Sequence, residues 1–104
     1  MLTDRARDTD RDRSYWYLLK AIDASRPVAA KASVLRKVLE AATYRFTDLE
    51  VLRAIDFLEK AGLVTKAENE EIEEVIVELT ADGIRFVNYS MPSIAGIDRP
   101  PRRS

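Results

Sequence analysis

The sequence predicts a small, mainly α member of the α+β class: three helices, a β-hairpin and a short fourth helix. Three observations carry that expectation. Apolar residues recur with helical spacing in successive segments between residues 14 and 61. Beyond them, the short β-like runs VTKA and VIVEL flank a Glu-rich turn in VTKAENEEIEEVIVELT. The length of 104 residues fits one domain with one modest core.

Each element has a local reason. Residues 1–13, MLTDRARDTDRDR, alternate four Arg with four Asp and have almost nothing to bury. They are expected to form a flexible charged leader, able to extend the first helix by a turn. From Ser14 the pattern changes, and Tyr15, Leu18, Leu19 and Ile22 fall on one helical face. Ser25-Arg26-Pro27 ends that helix, because the residue before proline is pushed out of the α region. A second helix is predicted from about Lys31 to Ala42, with Val34, Leu35, Val38, Leu39 and Ala42 inward. Thr47 is a good N-cap for a third, with Glu50 completing a capping box and Asp48 in the first turn. That helix runs to Ala61, with Val51, Leu52, Ile55 and Leu58 as its buried stripe and Ala54 outward. Gly62 suits the left-handed position that closes a helix. Leu63 and Val64 open a strand whose partner carries Val75, Val77 and Leu79 in alternation. Thr80 caps a fourth helix to about Tyr89. Residues 90–104 hold three of the four prolines and three Arg, and are expected to be an extended, mobile tail.

Helix, helix, helix, hairpin, helix is the order of a winged helix-turn-helix, occupying residues 14–89. The segment FLEKAGLVTKA, followed after a turn by VELTADG, resembles the AGLV, wing, LT-x-x-G pattern of the ArsR- and MarR-type bacterial repressors. That resemblance covers about Tyr15 to Val87. A longer stretch, from YLLKAIDASRPV to LEKAGLVTKA, is similar to small winged-helix proteins of Mu-like transposable phages and prophages, whose Pro-Gly-basic-Pro tail MPSIAGIDRPPR echoes. The resemblance implies a phage- or prophage-derived DNA-binding protein that regulates transcription in the cytoplasm of a bacterial host.

Charge is distributed unevenly for such a role. The net charge is −1, but residues 14–47 carry six basic and two acidic side chains, whereas residues 48–79 carry three basic and ten acidic. A wing laid on DNA should supply Lys and Arg, since phosphate neutralisation dominates affinity. This one offers Lys66 against Glu68, Glu70, Glu71, Glu73 and Glu74. If the protein binds double-stranded DNA, the wing must therefore point away from it. The candidate DNA contacts are then Arg53 on the recognition helix, able to read a guanine edge, with Thr47 at its start. Lys31, Arg36, Lys37 and Arg45 would meet phosphates, joined by Arg99, Arg102 and Arg103 of the tail.

An alternative class of function is a protein-contact module, such as a phage assembly or packaging accessory. Its acidic wing, through Glu68, Glu70, Glu71 and Glu73, would face a basic protein partner. Trp16 and Phe57, with Leu49, lie off the best core stripes and are candidate interface residues. Winged-helix repressors commonly pair through terminal helices, so a homodimer through the first or fourth helix is expected. No enzyme, cofactor or metal site is expected. The chain has no His and no Cys, only three Gly, and no calcium-loop spacing in ENEEIEE. It also lacks an apolar run long enough to span a membrane.

Overall fold

The computed structural model describes residues 2–102, with side chains from residue 10 onward. The elements are α1 (Leu2–Ser25), β1 (Ala30–Lys31), α2 (Ala32–Ala41), α3 (Asp48–Lys60), β2 (Val64–Asn69), β3 (Glu74–Leu79) and α4 (Ala81–Val87). They form a mainly α winged helix-turn-helix, as the sequence predicts. The sheet is antiparallel with order β1-β3-β2, pairing Val64 with Leu79 and Asn69 with Glu74 in the hairpin. Ala30 pairs with Val77 at the far edge. Two residues are too few for a visible alternation, so β1 leaves no pattern in the sequence.

The AGLV and LT-x-x-G residues turn out to be one mechanical joint. Gly62 takes φ +80° after α3, with its N–H on Glu59 O and the Leu63 N–H on Leu58 O, a Schellman closure. Thr80 then returns to the same place. Its N–H donates to Leu63 O at 2.9 Å and its hydroxyl to Gly62 O at 2.6 Å. The hydroxyl oxygen also accepts from Gly83 N at 3.0 Å, capping α4. Gly83 must be glycine here because a Cβ would sit 2.0 Å from the Leu63 carbonyl oxygen. The motif fixes where the hairpin leaves α3 and where α4 begins.

The core gathers Leu18, Leu19 and Ile22 of α1 with Leu35, Leu39, Val51, Ile55, Leu58, Leu63 and Val77, as expected. Three inward assignments are corrected. Val34 and Val38 are 48% and 39% exposed, and Leu52 is 38% exposed. On α2 only the narrow i, i+4 row of Leu35 and Leu39 is buried, so the valines one position earlier turn to solvent. On α3 the buried arc is Val51, Ala54, Ile55 and Leu58. Ala54, expected outward, therefore takes the place assigned to Leu52.

Both ends differ from expectation. The helix α1 continues through residues 2–13, so the leader adds three turns rather than one. Nor does the expectation of a mobile tail describe residues 94–100. Ile97 is buried, Ile94 packs against the core, and Asp98 N donates to Asp12 O at 3.0 Å. Arg13 pairs with Asp98 at 3.0 Å. Arg99 lies between the Phe86 and Tyr89 rings, 4.6 and 4.7 Å from their centroids. Its guanidinium donates to Phe86 O and Met91 O, both at 3.0 Å, using up the α4 and loop carbonyls. Two isoleucines and one planar cation thus anchor a segment whose prolines and small residues suggest freedom. Arg103 lies outside the described residues.

Candidate nucleic-acid interface

In a helix-turn-helix, the second helix of the motif presents its first turns to the groove. Here α3 is built for a firm start. Thr47 Oγ1 accepts from Glu50 N at 3.1 Å and Glu50 Oε1 accepts from Thr47 N at 3.0 Å, the predicted capping box. Thr47 is exposed, but its hydroxyl oxygen is already an acceptor within this box. The turn before it closes α2 through Tyr44 N on Leu39 O and Thr43 N on Glu40 O, with Thr43 at φ +70°. This is the same closure that Gly62 makes, carried by a β-branched residue, which that backbone region disfavours.

The candidate phosphate contacts divide into two kinds. Arg36 reaches across to Asp48, Nε to Oδ1 2.9 Å, and so ties the middle of α2 to the first residue of α3. Its charge is partly spent inside the protein. Lys31, Lys37, Arg45 and Arg53 are exposed, with side chains in no hydrogen bond or ion pair among the described residues. Lys31 ends β1 as the N-cap residue of α2, and the other three belong to the α2–turn–α3 segment. Arg45 lines a hollow with Asp10, Tyr44, Phe46 and Glu50, whereas Arg53 lines another on the hairpin side, with Leu49, Leu52 and Glu68. The candidate contacts therefore share one motif without converging on one cavity.

The hairpin disposes of its charge differently. Lys66, its one cation, is hydrogen-bonded to Asp56 of α3 and lies 4.0 Å from Glu59. That bond, with the nearby carboxylates, holds the ammonium above the usual lysine range. Glu74 is also engaged. The N-terminus of α2 has no cap from its own side chains, and the Glu74 carboxylate supplies one, accepting from Ser33 N at 3.1 Å and Ser33 Oγ at 3.0 Å. A carboxylate there also complements the helix dipole. At the tip, Asn69 Oδ1 accepts from Glu71 N at 3.1 Å, and Glu73 takes φ +49° to bring the chain back. Glu68, Glu70, Glu71 and Glu73 remain exposed, with side chains in no hydrogen bond or ion pair among the described residues.

Two candidate interface residues are covered by the chain itself. Trp16 is buried, its ring 6.0 Å from Phe86 and 5.8 Å from Tyr89 at edge-on angles. Phe57 packs on Tyr15 at 5.2 Å and lies under Gly96 of the tail, where a Cβ would come within 2.8 Å of the ring. The apolar groups left in solvent among the described residues include Leu49 at 57% exposure beside Leu52, Ile72 at the hairpin tip, and Val28, Val34, Val38 and Tyr17 elsewhere. Sequence periodicity hinted at Leu49 by placing it off the core stripe. Glu74 as the cap of α2 had no signal, because the contact spans 41 positions.

No protein-family model matches the chain, and no curated protein sequence does. Among solved structures, the fold is similar to that of a mutant of MepR from S. aureus, a MarR-family winged-helix regulator, with a TM-score of 0.60. The two are 18% identical over 72% of this chain and 51% of the MepR chain, so the chain spans about half of that regulator. The likeness shows the winged-helix fold. No helix among the described residues is long and apolar enough to cross a membrane. Among the same residues no acidic group is arranged to hold a metal ion.

Proposed function

We propose that this chain is a winged-helix transcriptional regulator that binds duplex DNA through its helix-turn-helix, with the acidic hairpin held off the phosphates. The observation that carries the reading is a set of exposed cations with unpaired side chains, Lys31 at the N-cap of α2 and Lys37, Arg45 and Arg53 on the α2–turn–α3 segment. Arg53 lies one turn into α3, where a guanidinium suits a guanine edge. Lys31, Lys37 and Arg45 act on phosphates, and Arg36 serves mainly to brace α3 through Asp48. Glu68, Glu70, Glu71 and Glu73 oppose any approach of the hairpin to the backbone, since like charges repel within a Debye length of about 8 Å. The resemblance of the sequence to Mu-like phage proteins supports a prophage origin and a bacterial cytoplasmic setting.

Fluorescence anisotropy of a labelled random duplex, titrated from about 20 to 200 mM salt, tests this reading. Binding should weaken steeply with salt, and Lys37→Ala should lower the slope of log K against log salt by about one. Absence of binding at the lowest salt would overturn the reading.

A further inference from the structure

Between α3 and the hairpin runs a groove that DNA binding does not explain. Three adjoining hollows, of about 440, 340 and 210 Å³, all share Val75. The 340 Å³ hollow is floored by Leu49 and Leu52 of α3 with Ala67 and Val75 of the hairpin, and Leu52 and Val75 continue into the 210 Å³ one. Leu49 and Leu52 remain 57% and 38% exposed at its edge although the rest of α3 packs its apolar side chains inward. Glu68, Glu70 and Glu73 line the hairpin side. The cations nearby are Arg53 and Lys66, both toward one end, and Lys66 is already tied to Asp56. A duplex would meet carboxylates on this side, and an acidic or purely apolar ligand would leave them uncompensated.

We infer that this groove docks a basic amphipathic segment of a protein partner, its apolar side chains on Leu49, Leu52 and Val75 and its Lys or Arg residues against Glu68, Glu70 and Glu73. The occupant is assigned from charge complementarity. An amphipathic helix presents apolar anchors along one face and cations beside them, which matches an apolar floor with one strongly acidic wall. Complementary potentials also speed the encounter and reject acidic competitors. This inference needs no duplex, and because Arg53 lines the same hollow as Leu49 and Leu52, a docked segment and a duplex would compete for the start of α3.

The test titrates the full chain into a fluorescein-labelled helical peptide made of Leu and Lys in amphipathic register, with a Leu/Glu peptide as the control. Saturable one-to-one binding of the Leu/Lys peptide alone is expected. It should weaken at least ~10-fold both in the triple variant Glu68→Lys, Glu70→Lys, Glu73→Lys and in the double variant Leu49→Ala, Leu52→Ala, as loss of anchors or of their charged surround does. All five positions are exposed, and circular dichroism checks that each variant folds. Failure of saturation, equal binding of the Leu/Glu peptide, or wild-type affinity in the leucine variant would overturn the inference. Duplex binding, measured separately, decides the DNA reading whatever the peptide does.

Discussion

The α2–turn–α3 segment and the hairpin are packed together, yet they use their charged residues in opposite ways. On the helix-turn-helix side, Arg36 is spent internally on Asp48, and Lys31, Lys37, Arg45, Arg53 and Lys60 are left facing solvent beside one free carboxylate, Glu40. On the hairpin side, the single cation is spent on Asp56, one carboxylate caps α2, and five carboxylates, Glu68, Glu70, Glu71, Glu73 and Glu78, are left facing solvent. Internal pairing therefore does not level the charge of the two regions but sharpens it. The Lys66–Asp56 and Glu74–Ser33 contacts hold the two together, and what remains outside each is predominantly of one sign. Net charge of −1 hides this entirely.

The largest expected effect breaks both regions at once. Ile55→Ala removes a fully buried side chain of α3 and should cost about 2–5 kcal/mol in chemical denaturation. Leu52→Ala, three positions away, should stay within about 0.5 kcal/mol because its site is solvated. Next comes the charge contrast itself. Converting Glu68, Glu70, Glu71 and Glu73 together to Lys should tighten non-specific duplex binding by at least about tenfold and steepen its salt dependence. Unchanged binding would mean that the hairpin does not influence the DNA-facing surface. Within the hairpin, Glu74→Ala should cost about 1 kcal/mol through the lost cap of α2, whereas Glu70→Ala should cost less than about 0.5 kcal/mol. Equal costs would dissolve the distinction between engaged and free carboxylates.

The smallest effect compares the two helix closures. Thr43 and Gly62 end α2 and α3 with the same hydrogen bonds and similar positive φ. Thr43→Gly should stabilise the protein by about 0.5–1 kcal/mol, relief of left-handed strain exceeding the added freedom of the unfolded chain. Gly62→Ala should destabilise it by a comparable amount. Thermal denaturation reads both.

Legibility in the sequence follows range. The Thr47–Glu50 capping box, the Gly62 closure, Thr80 as cap and the hairpin strands are local chemistry within a few residues, and they are readable. The AGLV and LT-x-x-G motifs are visible as a pattern, but their reason, the approach of Gly83 to Leu63, needs three dimensions. Val34, Val38 and Leu52 fit apolar stripes as well as their neighbours do, because periodicity specifies a face only to about one residue on a short helix. The tail is opaque for a related reason. Arg99 reads as a free basic group until Phe86 and Tyr89 are placed on either side of it. Of the site, the residue types are legible and their pairings are not. Nothing in the sequence distinguishes Arg36, which is paired, from Lys37, or Glu74 from Glu73.

The division of labour between the two regions can be read residue by residue from amide chemical shifts of the isotope-labelled protein, titrated with a random duplex at low salt. The largest shifts should fall between Lys31 and Arg53, around Lys37, Arg45 and the start of α3, while Glu68 through Glu74 stay nearly unmoved. Shifts centred on the hairpin, with α2 and α3 unmoved, would mean that the acidic region and not the basic one meets the duplex.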